Sequence, residues 1–358
     1  MRLRQLRVEN LRGFGRAELE LAPGWNLIVG SNGAGKTTLL EAAYLLSHGR
    51  TFRSGARDAL IQRGAEGYSV YGRIEGLSAT RGVGLLRQDG LMEARIDGTT
   101  AALADLLRNV AVVCFEPGSH ELISGAAELR RRFLDWGVFH VEPGFLGAWR
   151  GYQRALKQRN ALLRAGGAAA ELDSWDRELV RSGTEIAAMR DRYMAGFGPA
   201  TAAALGELLG DLGAARITLD SGWRGEGDPL ELLAAARDED RARGHTTRGP
   251  HRADWSIAFE RAPRREHLSR GQEKLCALGC ITGQARVFAT QRGEWPVICI
   301  DDLASELDAP HQELLVRSLQ NIDAQVLFTG THESGAFGAN AIDIARFHVE
   351  PGRVARLL

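Results

Sequence analysis

Trp25-Asn26-Leu27-Ile28-Val29-Gly30-Ser31-Asn32-Gly33-Ala34-Gly35-Lys36-Thr37-Thr38 is the stretch that decides the fold. WNLIV is a near-continuous apolar run, the pattern of a strand buried on both faces. Gly30 to Thr37 match GxxxxGK[ST], and the helix that follows carries LLEAAYLL. Strand, glycine-rich loop and helix in that order make a phosphate loop. The glycines let backbone N–H groups close around phosphate oxygens, and the helix N-terminus adds positive potential. Lys36 then reaches the β- and γ-phosphates, and the Thr37 hydroxyl ligates Mg²⁺.

A phosphate loop needs a carboxylate brought to the same sheet edge. Val297-Ile298-Cys299-Ile300-Asp301-Asp302 supplies one at the end of a second apolar run. Asp301 is expected to hold Mg²⁺ through water, and Asp302 to orient or deprotonate the attacking water. Alone, an apolar run ending in Asp-Asp is only a core strand with a solvated end; beside the phosphate loop it gains meaning. Leu268-Ser269-Arg270-Gly271-Gln272-Glu273-Lys274 opens a long helix, and a Ser followed by Gly-Gln at a helix start offers free N–H groups to an anion. Taken alone, that feature is equally an ordinary serine N-cap.

Composition narrows the class around these motifs. The 358 residues carry 45 basic and 45 acidic side chains, 44% hydrophobic and 25% charged residues, a soluble globular balance without a global field for polyanions. Only three of the basic residues are lysine (Lys36, Lys157 and Lys274); the other 42 are arginine, as a coding bias would give. No run of about 18 apolar residues exists to span a bilayer, and no secretory leader is read at the start, so the expectation is a cytoplasmic protein with no membrane partner. Cys114, Cys276, Cys280 and Cys299 sit in apolar contexts without a CxxC pair, consistent with buried free thiols in a reducing compartment.

Along the chain, LRVENL and RAELEL alternate as strands before WNLIV, and residues 57–97 suggest an antiparallel meander with glycine-containing turns. A helix at TAALADLLRNV precedes the buried strand 111–115. Residues 120–213 lack strand alternation and are rich in helix formers, with Gly166-Gly167 and Pro199 expected to divide them into at least three helices. Strand and helix patterns return at WSIAF, the helix after Leu268, VICI, HQELLVRSLQ, QVLFT and RFHVE. The expectation is an α/β head from residues 1–117 and 245–358, interrupted by a helical lobe over 118–244.

Phosphate loop, LSxGQ signature, Asp-Asp strand, Ser305-Glu306-Leu307-Asp308 and His332 after a strand, in this order, resemble an ABC-type ATPase. Further stretches are similar to the RecF family of SMC-like bacterial repair and replication proteins: Glu9-Asn10-Leu11-Arg12, Gly49-Arg50-Thr51-Phe52-Arg53, Arg131-Arg132-Phe133-Leu134-Asp135, Leu156 to Leu163, Gly249-Pro250-His251-Arg252-Ala253-Asp254 and Asp301 to Asp308. The resemblance covers nearly the whole chain. It implies an SMC-like P-loop head without a long coiled coil, and the 233 residues between Lys36 and Ser269 (269 against 36) are too few for an SMC arm. It further implies an ATP-dependent homodimer in which Ser269, Arg270, Gly271 and Gln272 of one copy cover the γ-phosphate held by the other. Asp308 then lies near the shared interface, and His332 senses the γ-phosphate. Double-stranded DNA near single-strand gaps, and recombination-mediator proteins that help load recombinase, are the implied partners. Two departures stand out from other ABC ATPases: Asp302 replaces the usual glutamate, which predicts slow hydrolysis, and no glutamine follows strand 111–115, where Glu116 is the candidate in its place.

Local basic clusters are the remaining signal. Arg130-Arg131-Arg132 is one; Arg150, Arg154, Lys157 and Arg159 are candidates for DNA phosphates, with 150, 154 and 157 on one helical face. A solvated arginine-rich face, or pairing with nearby carboxylates, explains the same residues. Competing functions are an ABC ATPase subunit of a nuclease or another SMC-like complex, a transporter ATPase, and a non-hydrolysing scaffold. The last would require a broken phosphate loop or Asp-Asp strand, and both are intact.

Overall fold

The WNLIV run forms β3 (Trp25–Val29) in a computed structural model that describes residues 1–53, 57–338 and 343–357. Its sheet neighbours come from the other end of the chain. β12 (Val326–Gly330) and β13 (Ile344–Glu350) flank it in parallel; β11 (Val297–Ile300) and β8 (Val112–Phe115) extend the sheet, and β14 (Arg353–Arg356) pairs antiparallel with β13. The order is β14-β13-β3-β12-β11-β8. Every residue of β11 and β12 is buried, which is why their sequences show no alternation. Parallel neighbours need crossovers. Here α1 (Lys36–His48) follows β3, α9 (Arg270–Arg292) leads into β11, α10 (Leu303–Glu306) and α11 (Ala309–Gln320) join β11 to β12, and α12 (Gly335–Gly338) follows β12.

The meander is a second, antiparallel sheet. β1 (Arg2–Leu11), β2 (Phe14–Glu20), β4 (Gly67–Glu75), β5 (Thr80–Gln88), β6 (Leu91–Ile96) and β7 (Thr99–Ala101) run in the order β2-β1-β4-β5-β6-β7, and α2 (Leu103–Asn109) leads from it to β8. Two of its two-residue turns are Asp89-Gly90 and Asp97-Gly98, in which all four residues have positive φ (52°, 76°, 50° and 81°). That backbone is the primed hairpin turn whose twist matches the flanking strands, and Asp-Gly is its preferred pair.

ENLR and GRTFR meet on the phosphate-loop helix. Arg12 donates twice to Glu41 of α1, at 2.5 and 2.7 Å, and the Thr51 hydroxyl donates to the same carboxylate. Glu41 is fully buried, so these donors are what allow a carboxylate to sit inside that helix.

The chain divides into two compact units, residues 1–120 with 270–358, and residues 121–269. The second begins with α3 (Glu121–Ser124) and α4 (Ala127–Val141), and continues with α5 (Phe145–Ala165) and the 40-residue α6 (Ala169–Leu208). β9 (Ala215–Asp220), α7 (Pro229–Ala235), α8 (Arg237–Arg243) and β10 (Asp254–Phe259) complete it. Two expectations differ from this. Pro199 does not end a helix: α6 runs through it, with Ala195 one turn back and Gly196 and Gly198 around it leaving room for the ring, while Phe197, Thr201, Ala204 and Leu205 bury the surrounding turns. The boundary at 245 also moves, because WSIAF belongs to β10 and pairs antiparallel with β9 (Trp255 opposite Leu219), so residues 245–269 go with the insertion.

Arginine pairing holds this second unit together. Arg159 is fully buried and donates to Asp176 and Asp240, both at 2.6 Å, and to Thr246 at 2.9 Å. Arg190 forks onto Asp135 at 2.8 and 3.0 Å, and Arg130 onto Asp254 at 2.7 and 2.9 Å. Tyr152 and His251 are hydrogen-bonded at 2.5 Å; burial is the main cause that holds His251 down at about 4.

Candidate nucleotide site

Sheet order brings the two sequence motifs together. β12 lies between β3 and β11, so the loop after β3 and the carboxylates after β11 emerge at one edge with a single strand between them. The loop conformation demands its glycines. A methyl group at Gly30 would stand 2.2 Å from the Val349 carbonyl oxygen; Gly35, at φ 112°, would drive one to within 2.6 Å of the Phe14 ring. Gly33 is also left-handed, at φ 80°. Ser31, Asn32 and Gly33 are exposed, while Ala34, Lys36 and Thr38 are buried. Lys36 Nζ donates to the carbonyls of Gly30 (2.8 Å) and Ser31 (3.0 Å), so the ammonium lies folded over the loop it serves.

Thr37 and Asp301 are in contact: the Thr37 hydroxyl donates to Asp301 Oδ1 at 3.0 Å. Two hard oxygens this close fit Mg²⁺, which would take the Thr37 hydroxyl directly and Asp301 through one of the waters the ion retains. Burial raises the Asp301 carboxyl above its usual range, while hydrogen bonds from Thr329 and Thr37, then the charge of Arg53, pull it back. A divalent cation is the charge that would favour the carboxylate further.

Thr329 is the residue that sequence reading missed. Its hydroxyl donates to Asp301 Oδ1 at 2.6 Å and accepts the Asp302 N–H at 2.9 Å, so one side chain on β12 fixes both carboxylate residues. No motif flags a threonine in QVLFT; only the strand order places it there. Arg53 of the GRTFR stretch also acts on Asp301 through its charge. Asp302 itself has a left-handed backbone (φ 51°, ψ 50°), and its Oδ1 is buried without a hydrogen-bond partner among the described residues. Left-handed backbone is several-fold enriched in aspartate and asparagine. The conformation thus gives a physical reason for the shorter acid, and the orphaned oxygen is an acceptor left open for a ligand.

The remaining candidates lie as follows. Ser269, Arg270 and Gly271 are exposed at the start of α9, and Gln272 is half-buried. Lys274, one turn into α9, is bonded to Glu306 of the SELD stretch at 2.8 Å, tying the signature helix to the segment after Asp302. Asp308 caps α11, accepting from His311 N–H at 3.0 Å and lying 2.5 Å from His311 Nδ1; those hydrogen bonds lower its carboxyl. His332 is exposed two residues beyond β12, with Nδ1 2.9 Å from the Thr331 hydroxyl. Gly30 N–H donates to Gly330 O at 3.3 Å, so His332 leaves from the strand end adjoining the phosphate loop. Glu116 accepts from Gly118 N–H at 2.7 Å and closes its own turn.

Of the DNA candidates, Arg150, Arg154 and Lys157 are exposed along α5. Arg159 is a correction. It is fully buried among Asp176, Asp240 and Thr246, because its position points the guanidinium into the helical core, and it presents nothing to a nucleic acid. Arg130 is likewise buried against Asp254, and Arg131 donates to the Ala253 carbonyl at 2.8 Å.

A glycine loop closing on a lysine, a threonine against a strand-end aspartate, and a signature helix leading into that strand define a P-loop ATPase head of the ABC/SMC class. The family model described as RecF/RecN/SMC N terminal domain matches residues 2–348. The chain is 46% identical to the DNA replication and repair protein RecF of Stenotrophomonas maltophilia (strain R551-3), with 99% of each chain covered. It is 36% identical to that of Shewanella baltica (strain OS155 / ATCC BAA-1091), again over 99% of each. A solved structure of the recombination mediator protein RecF-ATPrS in the RecFOR pathway superposes with a TM-score of 0.87 at 25% identity, over 99% of this chain and 98% of that one. An SMC head bound to the C-winged helix domain of ScpA shares the fold at a TM-score of 0.59, over 100% of this chain and 98% of that one, at 16% identity. The chain belongs to the RecF family of DNA replication and repair proteins.

Proposed function

We propose that this protein is an ATP-dependent DNA-binding repair ATPase whose ATP-bound dimer clamps double-stranded DNA near single-strand gaps and supports recombinase loading. The observation that carries this reading is the Thr37–Asp301 contact beneath a buried, loop-bound Lys36. Lys36 and the loop N–H groups hold the β- and γ-phosphates. Thr37 and Asp301 hold Mg²⁺, which supplies charge neutralisation at those phosphates. Asp302 positions the attacking water with its open oxygen, and His332 reads the γ-phosphate. Ser269, Arg270, Gly271 and Gln272 act across the dimer, with Asp308 at the shared face. Slow hydrolysis at Asp302 then releases the clamp. Exposed Arg150, Arg154 and Lys157 contribute phosphate contacts, and recombination-mediator proteins that help load recombinase are the protein partners, in keeping with the place of the solved RecF structure in the RecFOR pathway.

Sedimentation velocity with and without ATP and Mg²⁺, repeated with gapped duplex, tests the cycle. The expected result is a dimer only with ATP, bound to DNA, and neither with Lys36→Ala. A monomer under every condition removes the trans arrangement, and ATP-dependent DNA binding by Lys36→Ala removes the coupling.

A further inference from the structure

The inserted unit contains a cleft of about 280 Å³ that the ATP cycle does not use. Arg224, Arg243, Arg248 and Arg252 line it, with His245 and Thr247. The one carboxylate among the lining residues is Glu239, and Arg243 engages it one helical turn away at 3.0 Å. Arg224, Arg248 and Arg252 have no carboxylate partner among the described residues. This is unlike the unit's interior, where Arg130, Arg159, Arg190 and Arg237 each grip at least one aspartate.

Two of the three unpaired guanidinium groups are also held in place, while Arg224 stands exposed. Arg248 donates to the Leu232 carbonyl at 3.4 Å and Arg252 to the Thr246 carbonyl at 3.2 Å. The segment carrying them is pinned by the Thr247 hydroxyl on Asp240 (2.7 Å) and by His251 Nε2 against Thr246 O (3.0 Å). Arginine forks lining one cleft without internal counter-charge, two of them pre-positioned by backbone carbonyls, select an anion. A carboxylate offers two oxygens and is saturated by one fork, whereas a phosphate accepts several. The volume falls below the roughly 300–1,000 Å³ of pockets that enclose drug-sized molecules, which suits one or two phosphate groups.

We propose that this cleft is a phosphate-binding site, and that a nucleic-acid backbone or free phosphate is its ligand. The nucleic-acid arm rests on the DNA reading above; the free-phosphate arm does not. The test compares the parent with Arg224→Gln/Arg248→Gln, and with Arg16→Gln/Arg95→Gln as a double variant of equal charge change in the other unit. Duplex binding with ATP and Mg²⁺ is followed by fluorescence anisotropy across a salt series. Pyrophosphate binding is followed by thermal shift in a Lys36→Ala background, which removes the ammonium of the phosphate loop and weakens its response.

With a backbone ligand, the cleft variant loses about tenfold in duplex affinity per arginine, and its slope of log K against log salt falls by about 2, while the control changes little. With free phosphate, the pyrophosphate shift disappears and duplex binding is unchanged. Unchanged duplex binding together with an unchanged pyrophosphate response overturns the site. A parent that binds no duplex even with ATP ends the DNA reading, and the pyrophosphate arm still decides the cleft. If the glutamine variant unfolds, Arg224→Lys/Arg248→Lys keeps the charge and removes the forks; parental affinity in both assays then overturns the site.

Discussion

Replacing Arg159 with alanine separates two meanings of the same residue. If it were a DNA contact, its loss would weaken binding and leave folding intact. The structure gives it three buried partners instead: Asp176 and Asp240, both fully buried, and Thr246. Asp176 keeps Arg237, at 2.6 and 3.1 Å, but Asp240 keeps only the Thr247 N–H and hydroxyl, at 2.9 and 2.7 Å. Breaking a buried pair from one side costs about 3–5 kcal/mol. Across a unit of this size, 2–4 °C per kcal/mol converts that cost to a fall of roughly 6–20 °C in melting temperature. Five of the seven tryptophans (Trp136, Trp149, Trp175, Trp223 and Trp255) lie in residues 121–269, so intrinsic fluorescence reports mainly on this unit. The expected result is a large drop in the fluorescence midpoint, with the salt slope of DNA binding unchanged below it. A midpoint within 2 °C of the parent, together with weaker DNA binding, would refute the buried-network argument.

Thr329→Val removes both the donor to Asp301 and the acceptor for Asp302 N–H without changing side-chain size, and ATP turnover should fall about 10–100-fold while the melting curve moves little. Asp302→Asn should keep ATP-dependent dimerisation while slowing phosphate release by about 100-fold or more, measured by single-turnover assay. Arg12→Ala strands the buried Glu41 in the phosphate-loop helix and should cost about 3–5 kcal/mol in urea unfolding of the first unit. His251 has a folded value of about 4 against an ordinary 6.5, so its stabilising contribution is complete above pH 6.5 and is lost as pH falls towards 4. The second unit should therefore weaken by roughly 2–4 kcal/mol over that window, and a His251→Gln variant should show a flatter pH profile by tryptophan fluorescence.

What the chain reveals before folding depends on whether meaning is local. GSNGAGKT is legible because strand, loop and helix are consecutive, and the VICIDD strand because its burial shows in composition. Thr329 was invisible because its role arises only from β12 being placed between β3 and β11, a fact of sheet order. Arg159 was misread because an arginine on a basic helix looks the same facing water or facing Asp176; the two aspartates that capture it lie 17 and 81 residues away. Asp254 and His251 of GPHRAD, Asp135 of RRFLD and Arg159 of LKQRNALL all prove to be pairing positions of the second unit's core. Pro199 misled for a related reason, since the packing of Phe197, Thr201 and Leu205 outweighs the hydrogen bond the proline removes.

The sheet order also sets a timetable for synthesis. β3 is finished at residue 29, yet the strands that flank it begin at 326 and 344. At about 5–20 residues per second, a ribosome leaves both edges of β3 open for roughly 15–60 seconds, while the whole insertion is made. The phosphate loop carried by β3 acquires its Asp301 and Thr329 partners only near the end of translation. A prematurely terminated chain therefore carries the nucleotide-binding loop without the groups that complete it, and leaves an apolar strand open to chaperones and proteases.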